Sequence, residues 1–284
     1  MSPRWRVTGA RTAFRWGIPL ATVALTLGWL GVAAGSAGAT TTTTHLGMTH
    51  TRPGGAVGGG FQPGGLIKSH SAGTTRSAKD GSTNSANWSG YVLTGGTGAF
   101  TSVSSSWTEP AASCSSGTQY AAFWVGLDGY NSDSVEQTGA DSDCSGGTPD
   151  YYGWYEMYPA NPVYFTNPVA PGDSLSASVA VSGTSYTLTL TDSTQGWTQT
   201  ENESGSYSDS SAEVITEAPS SSQGPLPLAD FGTINYSGST ANGTSFASQN
   251  PTSITMVGSS GDQLDSTSAI DGSGDFSNAW EDGS

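Results

Sequence analysis

The chain has 284 residues and carries 8 Lys+Arg, 23 Asp+Glu and 3 His, a formal net charge of −15. Every lysine, arginine and histidine precedes residue 81, and Asp80 is the single acid before that point, so residues 81–284 hold 22 carboxylates and no side-chain cation. Such a block has no Ser-His or Cys-His nucleophile, no histidine metal site and no Lys Schiff base. It also has nothing with which to neutralise nucleic-acid phosphates. Chemistry done there falls to carboxylates and neutral amides.

In chain order, residues 1–39 read as an export signal. Arg4, Arg6, Arg11 and Arg15 precede an apolar run from Gly17 to Ala34, and Ala37-Gly38-Ala39 offers an A-x-A cleavage site before Thr40. The run is near the lower limit for a spanning helix, so an uncleaved anchor is the alternative. Cleavage is the expectation, and it makes the mature chain secreted, extracellular and without stable membrane association.

Residues 40–83 open on the homopolymer Thr40–Thr44, are rich in glycine and hold all three histidines (His45, His50, His70). Arg52, Lys68, Arg76 and Lys79 against Asp80 leave residues 40–80 at +3. With so little aliphatic content the segment has no core to bury. It reads equally as a flexible linker and as a basic propeptide lying across an acidic domain at neutral pH.

From residue 84 the texture turns to β. Phe100–Val103 leading to Trp107, Ala121–Leu127, Leu175–Val181, Tyr186–Leu190 and Ser253–Val257 alternate apolar and small polar residues between Gly, Pro, Asn, Asp and Ser clusters. No window shows a convincing 3.6-residue period. Residues 84–284 are therefore expected to form one all-β, antiparallel sandwich or barrel, with Trp88, Trp107, Trp124, Trp154 and Trp197 as core bulk. Cys114 and Cys144 are the two cysteines, and one bridge between them closes a 30-residue loop. On the chain-entropy argument it is worth about 3–4 kcal/mol, and an oxidising exterior preserves it. A reactive thiol would lack the base or cation that lowers its pKa.

No G-x-S-x-G, P-loop, D-T-G or D-S-G motif is present, but Gln137-Thr138-Gly139 is such a triplet with the acid replaced by an amide. Further blocks surround it: Asn87-Trp88-Ser89-Gly90-Tyr91, Ser106-Trp107-Thr108-Glu109-Pro110, Phe123–Gly129 (FWVGLDG), Trp154-Tyr155-Glu156-Met157-Tyr158-Pro159, Ser211–Glu217 (SAEVITE) and Ala229-Asp230-Phe231-Gly232. Together and in this order they resemble the glutamic peptidases (eqolisins, or pepstatin-insensitive acid proteases), over about residues 84–280. The resemblance implies an antiparallel β-sandwich of two large sheets, concanavalin- or jelly-roll-like. It also implies a monomeric endopeptidase that acts on polypeptides with no cofactor and no metal. By motif position the catalytic dyad is Gln137 and Glu217, with Trp124, Asp128 and Glu156 on the substrate side. Two departures stand out: Val214 where the family commonly has Trp, and a short stretch between Asp128 and Gln137.

The dyad makes chemical sense on its own terms. A glutamate titrates near ~4.3 and serves as a base at about pH 3–5 without special tuning. A glutamine amide donates to a developing oxyanion at any pH and adds no second charge beside that base. Glu213 lies four residues from Glu217, hence on the same strand face, and is the alternative base. Two other classes remain open: a carbohydrate-binding or glycoside-cleaving sandwich using a carboxylate pair such as Asp128 and Glu217, and a non-catalytic secreted surface protein. Sequons stand at Asn87, Asn202, Asn235 and Asn242.

Overall fold

A computed structural model describes residues 81–283 and, before them, only the short strand Met48–Thr49. The expected signal segment 1–39 and nearly all of the expected propeptide or linker, 40–83, lie outside the described residues. The principal strands are β1 Ser82–Ser85, β2 Trp88–Thr94, β3 Ser102–Thr108, β4 Ala122–Leu127 and β5 Val135–Ser145. They continue with β6 Thr148–Tyr158, β7 Val163–Pro168, β8 Ser174–Ser182, β9 Ser185–Asp192 and β10 Trp197–Ser204. The last are β11 Ser211–Glu217, β12 Thr233–Ala241, β13 Thr252–Val257, β14 Gln263–Thr267 and β15 Phe276–Trp280.

Pairing runs β7-β6-β5-β4-β11-β2-β13 and on through β14-β15-β12-β3-β8-β9-β10, antiparallel throughout. Only β1 joins in parallel, on β13. The all-β, antiparallel class is as expected. The division into two separate sheets is not what the pairing shows, because β13, β14 and β15 carry the hydrogen-bond ladder around without a break. The result is one large sheet curled nearly closed, in a barrel-like shape.

The burial pattern follows from which faces are covered. On β8 Leu175, Ala177 and Val179 point inward while Ser174 and Ser176 face solvent, the alternation of a strand covered on one side. Strands β4 and β11 are buried at every position, because both of their faces are covered. One face of β11 and its neighbours packs into the main core, with Phe123, Val125, Leu127, Leu188, Leu190 and Val214. The opposite face builds a second cluster from Trp88, Trp124, Tyr152, Trp154, Tyr164 and Ile215. Four of the five expected core tryptophans are fully buried, whereas Trp197 is half-buried and donates its indole N–H to the Pro168 carbonyl. Cys114 and Cys144 are bonded, with Cα atoms 5.4 Å apart, tying the segment before β4 to the end of β5.

Candidate active site

The register of four adjacent strands decides which side chains share a face. Glu217 on β11 lies opposite Trp88 on β2 and Ala122 on β4. Gly126 on β4 lies between Glu213 on β11 and Gln137 on β5, and Gln137 in turn faces Glu156 on β6. Directly opposed residues point to one side of a sheet. Gln137, Glu156, Glu213, Glu217, Trp88, Trp124 and Trp154 therefore occupy one face, the face of the second aromatic cluster. Val214, one residue out of phase, is in the main core on the other side. The Val for Trp departure thus changes core packing and leaves this face untouched.

Glycines make the face compact. A Cβ at Gly139 would sit 2.1 Å from the Phe123 carbonyl oxygen and 2.6 Å from Trp124 Cβ. The absence of a side chain there lets Trp124 and Trp154 flank the strand in one cross-strand row. Trp88 and Trp124 meet edge to face with ring centroids 5.0 Å apart.

Glu217 is held by two neutral N–H donors. Trp124 Nε1 donates to Oε2 at 3.0 Å, and Asn87 Nδ2 donates to Oε1 at 3.2 Å. Asn87 is itself oriented, because Ser85 Oγ donates to its Oδ1 at 3.0 Å and accepts the Trp88 N–H at 3.0 Å. This turns the amide N–H toward Glu217. Asn87 was legible in the sequence as part of the Asn-Trp-Ser-Gly-Tyr block and as a sequon, but not as a partner of Glu217. Being fully buried and hydrogen-bonded there, it offers no room for a glycan.

Gln137 Nε2 donates to Glu156 Oε2 at 2.8 Å. Burial, then the Glu217 charge and more weakly Asp141, push Glu156 well above the usual carboxylate range, opposed only by the Gln137 hydrogen bond. Glu213 is also fully buried. Burial pushes it well above its ordinary value, opposed by the Ser211 hydroxyl, with Asp128 and Glu136 adding to the rise. Of the two glutamates on β11, Glu217 has the donors that suit a carboxylate, and Glu213 has the surroundings that suit a neutral acid.

Asp128 does different work from Gln137 and Glu217. Its Oδ2 accepts the Asp209 N–H at 2.6 Å, and its Oδ1 accepts the Ser210 N–H and hydroxyl, each at 2.9 Å. It clamps the loop that leads into β11. Carboxylate oxygens of Asp128, Glu136 and Asp209 lie within 4.8 Å of one another. Burial and then the Asp128 charge push Glu136 up to about 9, so Glu136 keeps its proton throughout the acid range. The short stretch after Asp128 turns through Gly129 at φ 100°, where a Cβ would stand 2.5 Å from Val135 Cγ2. This tight turn still delivers Gln137 opposite Gly126, so the shortened loop leaves the register in place.

A sequence profile of the Peptidase A4 family matches residues 86–279. The chain belongs to the Peptidase A4 family. Aspergillopepsin-2 of Aspergillus niger is 31% identical over 191 residues, a match covering 57% of this chain and 67% of that one. The crystal structure of scytalido-glutamic peptidase with a transition state analog inhibitor is 27% identical, with a TM-score of 0.60, over 69% of this chain and 98% of that one. Aspergilloglutamic peptidase from Aspergillus niger gives 28% identity and a TM-score of 0.51, over 57% of this chain and 99% of that one. This Peptidase A4 member is a glutamic endopeptidase, and its substrates are polypeptides. Among the described residues no helix is long and apolar enough to cross a membrane.

Proposed function

We propose that this chain is a secreted, acid-active endopeptidase that hydrolyses peptide bonds with a Gln137/Glu217 dyad. One observation carries the assignment: Glu217 is fixed by Trp124 and Asn87 on the same sheet face that presents the Gln137 amide. Ionised Glu217 takes a proton from water as the water oxygen attacks the scissile carbonyl carbon. Gln137 donates a hydrogen bond to the oxyanion that forms. When the C–N bond breaks, Glu217 returns the proton to the leaving amine. The dyad runs in acid because a glutamate base with an ordinary value near ~4.3 is already ionised at about pH 4–5. Trp124 supports the site by holding Glu217, and Asp128 by clamping the loop before β11. Secretion follows from the signal-like residues 1–39.

The glycoside-cleaving reading loses one member of its carboxylate pair, because both Asp128 oxygens are engaged by the 209–210 loop. The test is digestion of a denatured protein by the processed chain across pH 2–8, alongside Glu217→Gln and Gln137→Ala. Cleavage confined to acid, resistant to pepstatin and lost in folded Glu217→Gln is the expected outcome. Gln137→Ala is expected to lower kcat about 10²–10³-fold, the usual effect of removing one oxyanion donor. Undiminished cleavage by folded Glu217→Gln would end the assignment.

A further inference from the structure

The Gln137/Glu217 reading gives no task to Glu156, an acid in the same cross-strand row as Gln137. Glu156 is fully buried, in register with Gln137, and receives the Gln137 amide on Oε2 at 2.8 Å. Its other oxygen, Oε1, meets no hydrogen-bond partner among the described residues. A buried carboxyl with one oxygen accepting and the other unpartnered is the hydrogen-bonding pattern of a neutral acid, whose free oxygen carries a proton to give. A buried carboxylate in that position would leave a charged oxygen without a donor, a costly arrangement.

We infer that Glu156 is a further catalytic residue: in its protonated form it donates Oε1–H to the oxyanion beside the Gln137 amide. This rests on the Gln137/Glu217 reading and completes it. Water attack places the carbonyl π pair on oxygen. Gln137 N–H and Glu156 O–H each hydrogen-bond that oxygen without transferring their protons. The single proton that moves travels from water to Glu217 and then to the leaving amine. The site then holds two carboxyl groups with opposite duties, one ionised on β11 and one neutral on β6.

The electrostatic surroundings keep the two apart. The groups that bear on Glu156 are Glu217 from β11, Asp141 from β5 and the Gln137 amide from β5. No cation faces it among the described residues, whose side chains include no Lys, Arg or His. Burial and the two carboxylates hold the proton on Glu156, and the Gln137 N–H only partly offsets them. Two closely placed acids with environments that push their titrations apart are a recurrent acid and base arrangement.

The proposal predicts a bell-shaped kcat profile in which Glu217 sets the acid limb and Glu156 the alkaline limb. The experiment is a set of initial-rate kcat profiles for wild type, Glu156→Gln and Glu156→Ala. Each is measured only where tryptophan fluorescence reports the native state, with Glu217→Gln as the inactive reference. Glu156→Gln keeps a donor that does not titrate. It is expected to retain kcat within about 10-fold at the optimum, while its alkaline limb moves up by more than one pH unit. Glu156→Ala is expected to lose about 10²–10³-fold, the size of a missing oxyanion donor. An alkaline limb in Glu156→Gln that superimposes on wild type overturns the proposal, as does full activity in Glu156→Ala. Loss of rate in both variants with an unchanged profile would reduce Glu156 to a prop for Gln137 and also overturns it. An inactive wild type, or an active Glu217→Gln, would strike the dyad reading instead and so is told apart from failure of Glu156.

Discussion

Raising the pH is expected to destabilise this fold, and Glu109 is the residue on which the effect is easiest to isolate. It follows β3 and is fully buried, with Trp107 Nε1 donating to Oε2 at 3.0 Å and Ser142 Oγ donating to Oε1 at 2.7 Å. Burial first, and then the charges of Asp173 and Asp192, push it from 4.5 up to about 7, against the pull of its two donors. A carboxyl whose folded value is raised binds its proton more tightly in the native state. Its stabilising contribution is therefore complete below about pH 4.5 and is withdrawn as pH rises through about 7. Each pH unit of difference is worth ~1.4 kcal/mol, so ionising Glu109 withdraws about 3 kcal/mol between pH 4 and pH 8. Glu109→Gln mimics the protonated form: its carbonyl accepts the Trp107 N–H, and its amide donates to Ser142 Oγ, which can turn to the Pro110 carbonyl at 3.0 Å. Urea unfolding followed by tryptophan fluorescence at pH 4, 6 and 8 is expected to show the variant matching wild type at pH 4. At pH 8 it should be more stable by about 3 kcal/mol. Parallel stability curves for the two proteins across that range would refute the reasoning.

Glu136, pushed up to about 9, obeys the same sign, and Glu136→Gln is expected to flatten the remaining loss of stability between pH 6 and 9 in the same unfolding assay. Asn87→Ala removes one donor from Glu217 and is expected to lower kcat about 10- to 100-fold, the worth of one hydrogen bond to a charged group. Its circular dichroism spectrum should stay native, and unchanged kcat would show that Trp124 suffices. Gly139→Ala forces a Cβ to 2.1 Å from the Phe123 carbonyl and is expected to prevent folding or to lower the melting temperature sharply, read by calorimetry. Replacing both Cys114 and Cys144 with Ser opens a 30-residue loop and is expected to cost about 3–4 kcal/mol in denaturant unfolding at pH 4.

Much of this enzyme is legible in one dimension. The banishment of every cation from residues 81–284 is plain in the sequence and limits the chemistry to carboxylates and amides. The two-residue alternation announces strands, because a strand covered on one face must place apolar residues at every second position. With two cysteines only one internal bridge is possible. The motif blocks name Gln137 and Glu217 because their order along the chain survives even where single positions such as Val214 differ.

What the sequence cannot express is which distant residues become neighbours. Asn87 reaches Glu217 across 130 residues, and nothing local to either one marks the contact. Glu213 and Glu217 look alike on one strand. Only the tertiary environment separates them, by giving Glu217 the Trp124 and Asn87 donors and burying Glu213 near the acids Asp128 and Glu136. Asp128 stands beside the motif yet acts on the 209–210 loop, since the turn at Asp128 and Gly129 redirects its side chain from the strand row. The curl of the sheet into one nearly closed network is likewise decided by β13–β15, which turn the ladder from one layer to the other. Alternation is a local property and can be read from one strand; register, burial and charge environment arise only when strands far apart in the chain are laid side by side.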